Sequence, residues 1–135
     1  MEHSHILLVE DDEVFAEVIS RALSNRGYEV AHAQDNEQAK QLIGSCSYNY
    51  AILDLNLGGE TSLELIPRLK QSAVAIRILM LTGYASIATA VEAIKLGADN
   101  YLSKPADADE ILGALLSEDQ LHLKIDSQQS PMEHM

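Results

Sequence analysis

The chain has 135 residues, 47% of them hydrophobic, with 9 Lys plus Arg against 21 Asp plus Glu and a formal net charge of −12. That length supports one core, able to bury roughly two thirds of the unfolded surface, and the apolar content excludes wholesale disorder. The acidic balance argues against a surface that grips nucleic acid or an anionic membrane; the lone Cys46 excludes an internal disulfide or multi-thiolate site; and no apolar run reaches the ~18 residues that cross a bilayer.

Residues 6–9 (ILLV) form an apolar run that stops at Glu10-Asp11-Asp12-Glu13, which predicts a strand buried on both faces. Val14, Phe15, Val18, Ile19, Ala22 and Leu23 then recur at helical spacing, with Gly27 as a stop. Residues 29–33 read as a second strand, and 36–43 as a helix with Ala39, Leu42 and Ile43 on one face. A third strand, 50–53 (YAIL), ends at Asp54, and Gly58-Gly59 marks a loop. Residues 62–71 read as a helix in which Pro67 demands a late start or a bend. The fourth strand, 76–81 (IRILML), ends at Thr82-Gly83. Residues 86–96 predict a helix capped by Ser86, with Ile87, Val91 and Ile94 on one face and Gly97 closing it. The fifth strand, 100–103, ends at Lys104-Pro105, and Asp107 caps a last helix through Leu116. Five β-α repeats with short connections imply a doubly wound α/β fold, a parallel sheet with helices on both faces. The expected division is a domain over 1–118, followed at 119–135 by a polar helix extension and linker or tail. The polar N-terminus MEHSH lacks signal-peptide character, so a soluble, cytoplasmic location is expected.

Ligands of an open α/β sheet bind beyond the carboxyl ends of its strands. That rule collects Glu10 and Asp11 after strand one, Asp54 after strand three, Thr82 after strand four and Lys104 after strand five. Three carboxylates held together repel one another unless a cation neutralises them, and Mg²⁺ suits an oxygen-only ligand set. Lys104 and Thr82 would then face an anion. These are the parts of a phosphoryl-transfer site, with Asp54 as the nucleophile. Each residue alone has a plainer reading: a solvated charge run, an Asx-turn aspartate, a Thr before Gly, a surface lysine. Asp12 and Glu13 are read as first-turn helix acids rather than ligands. Cys46 reads as a small buried residue, and the histidines, His3 and His5 included, as scattered.

The elements ILLVEDDE (6–13), ILDLNL (52–57), LTGYAS (81–86) and YLSKP (101–105) arrive in an order that resembles the receiver domain of two-component response regulators, the CheY-like family. The stretch 81–112 is most similar to the RegA/PrrA/ActR/RoxR group. The resemblance implies a five-stranded flavodoxin-like sheet of order 2-1-3-4-5. It implies a phosphorylation-dependent switch in which Asp54 is the phosphoacceptor from a sensor histidine kinase. Mg²⁺ would be held by Asp11, by Glu10 through water, by Asp54 and by the backbone carbonyl of Asn56. Thr82 would be the switch hydroxyl, Lys104 the phosphate-pairing cation, Tyr101 the aromatic switch, and Lys104-Pro105 a cis bond. The switched face would be the one built from the fourth helix, fifth strand and fifth helix, roughly 86–118, which would be presented to a partner, a second copy of the chain among the candidates. Relatives of this group carry a helix-turn-helix domain after a Pro-containing linker. The sequence ends at SPMEHM, where such a linker would start, so DNA contact is expected only through a C-terminal domain absent from this chain.

Three functions compete at this point. The first is the phosphorylated switch, taking part in transcription regulation. The second is an aspartyl-phosphate phosphatase, but such enzymes of the haloacid-dehalogenase type use a carboxylate two residues after the nucleophile, where this chain has Asn56. The third is a binding module that is never phosphorylated, which would be expected to lack Asp11, Asp54 or Lys104. The switch is the expected function, and the domain is not expected to be an enzyme in its own right. Tyr84, two residues after Thr82, is expected to shield the acyl phosphate from water.

Overall fold

The computed structural model describes residues 4–83 and 87–117. Ten elements alternate: β1 (Ser4–Val9), α1 (Glu13–Asn25), β2 (Tyr28–Ala33), α2 (Asn36–Ser45), β3 (Tyr50–Asp54), α3 (Leu65–Ser72), β4 (Arg77–Thr82), α4 (Ile87–Leu96), β5 (Asn100–Ser103) and α5 (Ala108–Leu116). All strand pairs are parallel and the sheet order is β2-β1-β3-β4-β5, as expected.

The apolar runs are continuous because both faces of the sheet are covered. Alternate side chains point to opposite sides, so Leu7, Val9, Leu53, Ile78 and Met80 meet α2, α3 and α4. Ile6, Leu8, Ile52, Leu79 and Leu81 meet α1 and α5. All ten are buried, each contributing roughly 1.5–3 kcal/mol by leaving water. The strand order reverses between β1 and β3, and the ends of these two strands open the crevice that holds the acidic residues.

Local signals set the helix ends. Asp12 caps α1 by accepting the Phe15 amide, and Asp35 caps α2 by accepting the Gln38 amide. Asp107 and Glu110 form a reciprocal capping box at α5. Helix α3 begins at Leu65, three residues later than the pattern predicts, which puts Pro67 in the first turn, where no backbone N–H is needed. Residues 62–64 instead form turns, with Leu65 N donating to Ser62 O and Ile66 N to Leu63 O.

Helix α4 differs more. Its buried residues are Ala90 and Ala93, while Ile87 is 62% and Val91 37% exposed. The small side chains face the sheet, with Ile94 partly buried against the same core. Helix α4 ends with Gly97 at φ +127, its amide and that of Ala98 both reaching back to Ala93 O. Cys46, expected inside, is exposed at the end of α2. Tyr84, Ser86, His3 and residues 119–135 lie outside the described residues.

Candidate functional site

Four of the residues singled out in the sequence meet in the crevice. Glu10, Asp11 and Asp54 each bring a carboxylate oxygen within 4.8 Å of the others. Lys104 Nζ lies 2.8 Å from Glu10 Oε1 and 3.3 Å from Asp54 Oδ2. Glu10 is fully buried, Asp54 is 6% exposed, and Asp11 faces solvent.

The backbone fixes each carboxylate. Glu10 N donates to Ala33 O, extending the β1–β2 ladder one residue past β1, and Glu10 Oε2 accepts from the Asp12 amide. His32 Nε2 donates to the Glu10 carbonyl over 2.7 Å. Asp54 is the last residue of β3, and Ser62 Oγ donates to its carbonyl over 2.8 Å. Ser62 N donates in turn to Leu55 O. Lys104 is tied to β4 through its amide, which donates to Thr82 O, and the Lys104–Pro105 peptide is cis. Its ammonium also lies 4.6 Å from the centre of the Phe15 ring.

Thr82, 1% exposed, sits at the end of β4, one residue beyond Leu81, the register partner of Asp54. Asn56 is exposed in the β3–α3 loop and forms an antiparallel bridge with Thr61. Gly58 has φ +65, and a Cβ there would lie 3.5 Å from Asp11 Oδ2, so the loop folds close over the acidic cluster. Tyr101 is not part of the cluster. Its ring is half-buried against the core on the α4 side, and its buried hydroxyl has no hydrogen-bond partner among the described residues.

The electrostatics are those of a site short of positive charge. Burial pushes the Glu10 carboxyl up from 4.5 to about 7; Lys104 and the Asp12 amide pull it down, and the neighbouring Asp54 pushes it up again. Burial alone would lower Lys104, but Glu10 and Asp54 outweigh it and raise its pKa. Glu10 Oε1 is buried and accepts no well-aligned hydrogen bond among the described residues, although the ammonium lies beside it. Three hard oxygen donors, one of them without a hydrogen bond, fit a divalent cation such as Mg²⁺.

Ser62, Phe15 and His32 are the supporting residues that the sequence did not mark as part of the site. Ser62 reads as the start of a helix, Phe15 as one member of an apolar stripe, and His32 as a scattered histidine. None carries a signal of its own, because each acts through a contact across the fold.

The chain matches the response regulator receiver domain over residues 6–116. It is 42% identical over 112 residues to the photosynthetic apparatus regulatory protein RegA of Rhodobacter capsulatus, covering 83% of this chain and 61% of that protein. It is 40% identical over 111 residues to the acid tolerance regulatory protein ActR of Sinorhizobium medicae, covering 82% of this chain and 57% of that protein. The chain thus spans about three fifths of the length of these relatives. A crystal structure of a response regulator protein from Burkholderia pseudomallei, with a phosphorylated aspartic acid, calcium ion and citrate, is similar at a TM-score of 0.84 and 41% identity, covering 95% of this chain and 74% of that one. A receiver domain protein (CheY-like) from Methanospirillum hungatei is similar at a TM-score of 0.79 and 27% identity, covering 96% and 99%. This chain belongs to the response regulator receiver domain family, the signalling domain of two-component systems.

Proposed function

We propose that Asp54 accepts a phosphoryl group from a sensor histidine kinase and that the modification switches the surface of the domain. The observation that carries this reading is the Lys104 ammonium lying between Glu10 and Asp54 at the mouth of a three-carboxylate cluster. An Asp54 carboxylate oxygen attacks the phosphorus of a phosphohistidine in line. The new P–O bond forms as the P–N bond breaks, and the leaving imidazole keeps the electron pair and takes up a proton. Lys104 then pairs with a phosphoryl oxygen, and the Thr82 hydroxyl takes another. Ser62 holds the Asp54 backbone still through both states. Mg²⁺ held by Glu10, Asp11, Asp54 and the Asn56 carbonyl would neutralise the charge gathered between carboxylates and phosphoryl group. The calcium and phosphorylated aspartate of the similar Burkholderia structure support this assignment.

Drawing Thr82 toward the phosphoryl group shifts β4 and the residues around it. The Tyr101 phenol, buried without a hydrogen-bond partner among the described residues, is suited to move with that shift. Ile87, Val91 and Leu116 are exposed apolar side chains on α4 and α5, and they support this face as the dimer contact. The described helices include none long and apolar enough to cross a membrane, which is compatible with a cytoplasmic regulator. Contact with DNA would come from a domain C-terminal to this chain; the relatives are named as regulatory proteins, and this chain spans about three fifths of their length. With Asn56 where a phosphatase needs a second carboxylate, the domain is read as a switch that loses its phosphoryl group slowly rather than as an enzyme.

The test is incubation with acetyl phosphate and Mg²⁺ followed by intact mass measurement. One added phosphoryl group is expected, lost when a chelator is present, and slowed about a hundredfold in Lys104→Ala. No gain of mass in the wild-type protein would overturn the reading.

A further inference from the structure

We propose that Phe15 is a positioning residue for phosphoryl transfer: its ring face holds the Lys104 ammonium in place beside Asp54. The inference rests on the reading of Asp54 as phosphoacceptor and goes beyond it. Lys104 Nζ is 4.6 Å from the ring centre, within the range in which the negative face of an aromatic ring attracts a cation. The Lys104 side chain is 20% exposed, so water screens the attraction only in part.

Phe15 packs against the core on the α1–α5 side, which calls for an apolar residue there but not specifically for an aromatic one. Phe15 is half-buried, and it lines an open groove with Val18, Ala22 and Asp107. A π face adds a weak, non-directional hold on a flexible lysine, and such a hold does not compete with phosphoryl oxygens for the N–H donors of the ammonium. Asp54 does compete, because it accepts a hydrogen bond from the same ammonium that a phosphoryl group would use, and Glu10 pairs its charge with that ammonium. The ring therefore keeps Lys104 near the site at the moment when its carboxylate partners must release it.

The protein offers a clean test because Phe15 is its only phenylalanine and it has no tryptophan. Biosynthetic incorporation of mono-, di- and trifluorinated phenylalanine changes position 15 alone, and it drains the ring's negative face stepwise with little change in shape. The expected result is a graded fall in the rate of phosphorylation by acetyl phosphate. Phe15→Leu should be slower by about fivefold, with Phe15→Tyr close to wild type. The single ¹⁹F resonance of the para-fluoro protein should move on phosphorylation, and Lys104→Met should displace it beforehand. Equal rates across the fluorine series, or a resonance indifferent to Lys104→Met, would overturn the inference. Failure of the unlabelled protein to take up phosphoryl groups would instead overturn the assignment of Asp54.

Discussion

Glu10 is the residue where burial and charge conflict most sharply. Its carboxyl rises from 4.5 in the unfolded chain to about 7 in the fold, first because it is buried. Between these values the folded protein binds a proton there that the unfolded chain has released. The contribution of Glu10 therefore stabilises the metal-free fold as pH falls from about 7 toward 4.5, and that gain is absent at higher pH. A divalent cation requires the ionised form, so its affinity should move the opposite way. Calorimetric titration with Mg²⁺ should show affinity falling about tenfold between about pH 8 and pH 6. Glu10→Gln should flatten that dependence, and an equally steep profile in the variant would assign the proton elsewhere. The acids and Lys104 were legible in the sequence because strand ends converge by the geometry of a parallel sheet. Phe15 and Ser62 were not, because an aromatic in a stripe and a serine in a loop acquire a role only from a partner distant in sequence.

The loop after β3 illustrates why element boundaries matter to the site. Ser62 and its neighbours carry helical spacing, and Pro67 signals that the helix starts late. The structure places that start at Leu65 and leaves Ser62 free to turn inward. Its hydroxyl then satisfies the buried carbonyl of Asp54. Removing it in Ser62→Ala leaves that acceptor without its donor, which should cost about 1–3 kcal/mol in chemical denaturation. The variant should also accept phosphoryl groups more slowly; unchanged stability and rate would show that the loop is held by other contacts. Helix α4 shows the opposite case. Ile87, Val91 and Ile94 share a face by spacing, yet the helix lies on Ala90 and Ala93, and of the three only Ile94 packs against the core. Hydrophobicity marks surfaces that leave water, but it does not distinguish a core from a surface awaiting a partner. The exposed cysteine follows the same logic, since its residue type favours burial while its position at a helix end does not.

At the scale of the molecule, the three apolar runs of β1, β3 and β4, flanked by the less apolar β2 and β5, carry most of the fold. A sheet buried on both faces needs runs such as ILLV, YAIL and IRILML at its centre, and few other architectures accept three of them separated by helices. The strand order is not contained in those runs. It rests on how crossovers wind, and the resemblance to receiver domains supplied it before the structure displayed it. The reversal between β1 and β3 brings Glu10 and Asp11 to Asp54, and β5 brings Lys104 across to them. The central claim is that this assembly exists to place a phosphoryl group on one carboxylate. Intact mass measurement of the wild-type protein and Asp54→Asn, treated side by side with acetyl phosphate and Mg²⁺, tests it most directly. The account predicts one added phosphoryl group in the wild type and none in the variant. Equal phosphorylation of the two proteins would contradict it.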